Sequence, residues 1–384
     1  MPGGTELAIG RRVSLVVSES ILRTPLCASL GIDLPIVQAP IGRVGGAALS
    51  AAVSNAGGLG MVGLSYATDT EIAAAFREMT EMTTRPYGVN LILARDQQHR
   101  LELTLRAGVR LVSFFWAEPE LGSPYVREAH AAGALVMWTV GSADEARRAV
   151  DAGVDIIVAQ GLDAGGHVWG RVGTLALVPA VVDAVSPIPV IAAGGIGDGR
   201  GLAAALALGA QAGWMGTRFV VALESLAHPD YRRRLIEATE TDAVWSNGVF
   251  DLGWNAPVRT LDNDVLKVWR AAGSPIAGAR PGEGDIVGHR SDGEPVLRYD
   301  FAPPLVGMTG NLAAMANYAG QSVGIVGREQ TAAVIVREVA AEAERILRTL
   351  AHMDVVDDTD RRASNSERGA GSMDPRHDES RPGS

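Results

Sequence analysis

The sequence predicts an α/β fold: a (β/α)8 TIM barrel with an insertion after strand 8 and C-terminal helices. Three observations predict it. Between Leu34 and Phe219, short apolar runs rich in β-forming residues alternate with helical patterns, the signature of successive βα units. The runs number eight and are apolar almost throughout, as strands buried on both faces must be. The richest glycine loops follow the last three runs, where barrels commonly build a phosphate site, and no GxGxxG turn follows the first.

The first strand is PIVQAP (35–40), followed by a Gly-rich turn and a helix around Ala47 to Asn55 that Gly57 and Gly58 close. GLGMVGL (58–64) is the second. Its helix begins after Asp69 as N-cap, runs from about Thr70 to Met82, and carries Ile72, Phe76 and Met79 at helical spacing. YGVNLIL (87–93) precedes a helix with Leu101 and Leu105, and LVSFFWA (111–117) is the fourth strand. LVMWTV (135–140) leads to Ser142 and Glu145, a capping-box pattern that starts the helix ending at Gly153. DIIVAQG (155–161), PVIAAGGI (189–196) and AGWMGTRF (212–219) complete the set, and Gly209 closes the Ala/Leu-rich helix 201–208.

Beyond Phe219 the rhythm changes. The chain divides into an N-terminal extension (1–20), the barrel core (21–224), a small substrate-side insertion (225–304), closing helices (305–353) and a polar tail (354–384) too poor in apolar residues to order itself. Within the insertion, 229–239 reads as a charged helix and 243–300 as mainly irregular.

Composition narrows the function. With 34 Lys+Arg against 44 Asp+Glu the net charge is −10, and no basic block interrupts the chain. A nucleic-acid or anionic-membrane surface is thereby disfavoured and a small-molecule partner favoured. The single cysteine, Cys27, excludes disulfides within the chain and Cys-ligated metal sites, and it suits a reducing, cytoplasmic compartment. Neither a cleavable leader pattern nor an apolar stretch of ~20 residues is present, so secretion and membrane spanning are not expected.

Three loops at strand C-termini carry the chemistry. Strand six ends in QGLDAGGHVWG (160–170), where Gly165 and Gly166 let the backbone approach a flat ligand and His167 follows as a base or anion-binding group. Strands seven and eight end in AAGGIGDG (192–199) and WMGTRF (214–219), so Gly194, Gly195, Gly216 and Thr217 offer N–H groups and a hydroxyl to a phosphate. A structural reading stands beside each: a lone loop histidine is often only structural, and the glycines at 194–199 could merely close a turn. Asn90 and Gln160, if buried, need partners in the protein or on a ligand, since an unpaired amide costs ~1–3 kcal/mol. Trp116 and Trp138 read as barrel or pocket lining.

These segments carry a resemblance. PIVQAPIG (35–42), AAVSNAGGLGMVG (51–63), YGVNL (87–91), AQGLDAGGH (159–167), AAGGIGDGRGLAAALALGA (192–210) and GTRF (216–219) resemble, in order, the motifs of the nitronate monooxygenase family, formerly the 2-nitropropane dioxygenases. YAGQSVGIV (318–326) is similar to that family's closing segment. The resemblance implies FMN as cofactor, held by Asn90, Gln160, Gly165, Gly195 and the run Trp214, Met215, Gly216 and Thr217. It places Pro40 and Ile41 against the flavin and makes His167 the active-site histidine. Ile41 departs from the methionine that many members carry. The activity implied is oxidation of nitroalkanes or nitronates with O2 to carbonyl compounds and nitrite, without NAD(P)H. An FMN-dependent enoyl-thioester reductase using NAD(P)H shares the same barrel and AGGH segment and is the alternative; a non-catalytic phosphate-ligand binding barrel is the second.

Overall fold

The computed structural model describes residues 21–251 and 256–367. The expected extension 1–20 and residues 368–384 of the expected tail lie outside them. All eight barrel strands form: Ile36–Gln38, Gly60–Gly63, Tyr87–Ile92, Leu111–Phe115, Leu135–Val140, Ile156–Gln160, Val190–Ala193 and Ala212–Met215. From the second to the eighth they pair in parallel, each with its sequence neighbour, and the eighth pairs back onto the first through Ile36–Gln38. A parallel bridge between Val37 and Leu59 closes the seam between the first two strands, with Leu59 N–H donating to Ile36 O at 2.9 Å. Gln38 reinforces that seam. Fully buried, its Oε1 accepts from Met61 N–H (3.1 Å) and from Ser50 Oγ (3.2 Å), so a side-chain amide extends a ladder only three residues long.

Side chains alternate between two layers. Val37, Leu59, Met61, Leu111, Met137 and Trp214 are among those filling the barrel interior, and the short helix Pro25–Leu30 plugs its N-terminal end with Leu26, Cys27 and Leu30. The alternate residues, such as Ile36, Val62, Val112 and Met215, pack outward against the helices. Those helices start where the sequence places them, with one correction. Thr68, not Asp69, caps the helix Asp69–Met82: its hydroxyl accepts from Glu71 N–H (3.3 Å) while Glu71 Oε2 accepts from Thr68 N–H (2.7 Å). Asp69 sits instead in the first turn, where a carboxylate meets the positive end of the helix dipole. The box at Ser142 is half made, since Ser142 accepts from Glu145 N–H (3.1 Å) but the Glu145 carboxylate turns elsewhere. Gly209 takes φ +93°, the left-handed position expected after the helix Gly199–Ala207.

The insertion differs from the irregular segment expected over 243–300. Strands Ala243–Asn247 and Pro257–Leu261 pair antiparallel and add Gly166–His167 as a third strand. The helix Asp264–Ala271 follows, capped by Asn263. Ile286–His289, Pro295–Leu297 and Thr309–Gly310 then form a second small sheet. The closing region also differs: short 3-10 turns precede one long helix, Ala332–Glu367, which runs across the boundary expected at residue 353. It packs on Gly199–Ala207 at a point where Gly199 has no room for a Cβ, which would lie 2.5 Å from Ala343 N. None of the helices among the described residues is long and apolar enough to cross a membrane.

Candidate active site

His167 stands in the two-residue strand Gly166–His167, beyond the C-terminal end of the sixth barrel strand. Its partner there is Val258. The loop leading to it is tied down by two side chains. Gln160 accepts from Trp169 N–H (2.9 Å) and donates to His167 O (3.2 Å), while the buried Arg259 donates Nη2 to Leu162 O and Nη1 to Ala243 O, both at 2.9 Å. The imidazole therefore rides on a fixed backbone. Its Nε2 is inaccessible to solvent although the residue is only half-buried, and burial pushes its pKa down from 6.5 to about 3. At neutral pH the ring is uncharged, and it would take up a proton only beside a developing negative charge that offsets the cost of a buried imidazolium.

Aromatic rings surround it. Trp116, the residue after the fourth strand, meets His167 edge-to-face at 5.6 Å, Trp169 at 5.1 Å and Phe115 at 5.0 Å between centroids. Tyr318 lies 5.7 Å from His167 on another side and donates its hydroxyl to Phe301 O (2.7 Å). Trp169 is held through its indole N–H, which donates to Glu145 Oε1 at 2.9 Å. Trp116 has φ 70°, a left-handed conformation costing a residue with a Cβ about 1–2 kcal/mol. Three edge-to-face contacts of ~0.5–1.5 kcal/mol each are enough to offset it.

The residues expected to hold a cofactor divide into two sets. Gly166 (φ +74°) and Gly195 (φ +71°) adopt conformations that favour glycine, and a Cβ on Gly166 would meet nothing within 4 Å. A Cβ on Gly216 would meet Ile41 Cγ2 (3.5 Å) and Ala39 Cβ (3.6 Å) at ordinary contact, so the end of the first strand, with the half-buried Pro40 and Ile41, lies against the end of the eighth. Among the described residues no backbone hydrogen bond takes up the N–H of Gly195 or Gly216. Open backbone, free N–H donors and adjacent strand ends fit a phosphate-bearing ligand.

The second set is already engaged within the protein. Cβ atoms on Gly165 and Gly194 would collide with Gly320 N (2.3 Å) and Thr174 Oγ1 (2.9 Å), so both are glycines of close packing. Asn90 Nδ2 donates to Ser113 O at 3.2 Å, and Gln160 holds the His167 loop. Thr217 Oγ1 accepts from Gly320 N–H (2.9 Å), which leaves its hydroxyl proton to give. Trp214 fills the barrel interior, whereas Met215 faces the outer helices and offers a ligand no more than its backbone. Trp169, Tyr318 and Arg259 were not singled out by the sequence. Tyr318 lies in YAGQSVGIV and Trp169 in QGLDAGGHVWG, segments visible there without a role for either residue, and no local signal marks Arg259.

A parallel barrel with a half-buried histidine and open glycine backbone gathered at its C-terminal face has the architecture of the (β/α)8-barrel enzymes. The pattern of the nitronate monooxygenase family matches residues 23–342, and the chain belongs to that family of oxidoreductases. It is 44% identical over 220 residues to the (3aS,4S,5R,7aS)-5-hydroxy-7a-methyl-1-oxo-octahydro-1H-indene-4-carboxyl-CoA dehydrogenase of Mycobacterium tuberculosis, a match that spans 56% of this chain and 61% of that relative. It is 38% identical over 251 residues to the nitronate monooxygenase of Pseudomonas aeruginosa, covering 54% of this chain and 71% of the relative. Among solved structures, FabK from Thermotoga maritima superposes with a TM-score of 0.69 at 30% identity, over 86% of this chain and 99% of that one.

Proposed function

We propose that the chain is an FMN-dependent oxidoreductase in which His167, held uncharged, removes a proton from a neutral carbon acid, with coenzyme A thioesters as the substrate class. The observation that carries this reading is the His167 imidazole held at the C-terminal end of the barrel on a loop fixed by Gln160 and Arg259, with the rings of Trp116 and Tyr318 against it. An uncharged ring is a base and a poor anion partner, so it suits a substrate that arrives neutral with its acidic hydrogen in place. Transfer of the proton creates an imidazolium beside a carbanion, and each charge offsets the other in surroundings that would penalise either alone. The Mycobacterium tuberculosis relative, named as a carboxyl-CoA dehydrogenase, supports the thioester class.

Gly195, Gly216 and Thr217 would hold the phosphate of FMN, and Pro40 and Ile41 would border it. Bound there, FMN supplies the two-electron acceptor for oxidation at carbon. The chain's part is to fix the substrate beside His167, exclude water with Trp116, Trp169 and Tyr318, and take the proton at an imidazole nitrogen.

A second reading, oxidation of neutral nitroalkanes, rests on the same histidine and on the Pseudomonas aeruginosa relative. Anaerobic mixing of holoenzyme with an acyl-CoA, a nitroalkane, NADH and NADPH in separate experiments, followed by the flavin spectrum, tests both. Bleaching by the acyl-CoA supports the first reading. Bleaching by the nitroalkane alone supports the second, and rapid bleaching by NAD(P)H alone contradicts both in favour of a reductase.

A further inference from the structure

We infer that Trp116 determines the specificity of this site: its indole, with that of Trp169, forms the wall against which a ring-bearing substrate lies while its acidic carbon faces His167. The inference rests on the reading of His167 as the base, but not on which group activates the carbon.

Three observations carry it. The first is the backbone. Trp116 holds a left-handed φ of 70° at the exit of the fourth barrel strand, a position where glycine or asparagine is the unstrained choice. A bulky residue keeps such a conformation where surrounding contacts fix it, and here those contacts set the indole against His167 at the C-terminal end of the barrel. The second is the contact set. The ring is edge-on to Phe115, His167 and Trp169 and remains half-buried, so part of its surface beside His167 stays accessible.

The third is the rigidity of its partner. Trp169 donates its indole N–H to Glu145 Oε1 and its backbone N–H to Gln160 Oε1, both at 2.9 Å, and Glu145 Oε2 in turn accepts from Gly141 N–H at 2.6 Å. Gly141 and Gly170 lie so close that a Cβ on Gly141 would be 2.4 Å from Gly170 Cα, which locks the Trp169 segment over the end of the fifth strand. Two half-buried indoles, one braced by hydrogen bonds and one by its backbone, form a preorganised apolar wall beside the base. A two-carbon nitro compound cannot cover such a surface, whereas an alicyclic ring can, and each extra methylene it buries there is worth roughly fourfold in kcat/KM.

The test compares kcat/KM of the holoenzyme for cyclohexanecarboxyl-CoA with that for butanoyl-CoA, and for nitrocyclohexane with that for nitroethane. The wild-type protein is expected to prefer the ring-bearing member by at least about tenfold in whichever pair it turns over. In Trp116→Gly, which accepts the same φ without strain, that preference should fall to within about threefold, while Trp116→Phe should keep most of it. Trp116→Asn, also compatible with left-handed backbone, replaces the glycine variant if the latter does not fold. The inference is overturned if the wild type shows no ring preference, or if the Trp116 variants lose both members of a pair equally, as a merely structural role requires. Failure of the thioester reading looks different: neither thioester is oxidised, and the nitro pair alone then decides the role of Trp116. Failure of His167 as base appears as unchanged rates in His167→Asn with either pair.

Discussion

His167 stands opposite Val258 in an antiparallel pairing, so the loop after the sixth barrel strand is completed by a segment ninety residues further along the chain. The adjacent Arg259 clamps the two together through the carbonyls of Leu162 and Ala243. Arg259→Met keeps the apolar stem and removes the donors, leaving buried acceptors unpaired at a cost of about 1–3 kcal/mol. A Tm lowered by about 2–10 °C is expected, together with reduced turnover. Calorimetry and steady-state rates check it, and an unchanged Tm would remove Arg259 from the account.

Acid stability should report the environment of His167. In the unfolded chain the imidazole binds a proton below about 6.5, whereas in the folded protein it stays uncharged down to about 3. Unfolding therefore takes up a proton in that window, so the associated stability is fully present above 6.5 and is lost as the pH falls toward 3. Melting wild type and His167→Gln between pH 7 and pH 4 should show the wild type losing Tm faster as the pH drops. Parallel curves would mean that the ring is solvated in the folded protein.

Arg280 braces the insertion from within. Its side chain, 0% exposed, donates to Asp251 Oδ1 (2.7 Å), to Gly248 O (3.1 Å) and to Glu283 Oε1 (2.7 Å), and the guanidinium lies 4.7 Å from the Tyr299 ring centroid. Arg280→Met leaves the carboxylate of Asp251 buried without its cation, which costs about 3–5 kcal/mol. Combining it with Asp251→Asn should restore part of the loss. A double variant no more stable than the single, measured by denaturant unfolding, would contradict the pairing.

Flavin retention tests the phosphate cradle. Gly195→Asp places a carboxylate in a left-handed position beside Asp163 and in the space proposed for the phosphate. The purified variant should carry no FMN, while its apoprotein gives wild-type circular dichroism. FMN at wild-type stoichiometry would take Gly195 out of the site.

The barrel is legible because each strand is a local apolar run, most of them followed by a glycine, and the site loops are legible because glycine and histidine are conspicuous there. The 243–300 region is not. Ala243–Asn247 and Pro257–Leu261 are short, and the latter finds one of its partners at Gly166–His167, a pairing that no local period encodes. Trp116 and Trp138 looked alike as lining residues, yet Trp138 is buried in the core against Phe114 while Trp116 faces His167. Trp138 lies inside the fifth strand, whereas Trp116 follows the end of the fourth and takes φ 70°. Asp69 and Thr68 were both able to cap, and the reciprocal bond with Glu71 decided between them.

The central claim is that His167 acts as an uncharged base, and His167→Asn tests it most directly. The variant should fold and retain FMN, because the change is confined to one polar side chain. Anaerobic flavin reduction by a neutral acyl-CoA or nitroalkane should then fall by about 10²–10⁴. Reduction by a preformed nitronate, which has already lost the proton in question, should fall far less. Equal losses with neutral and ionised substrates, or no loss with either, would contradict the claim.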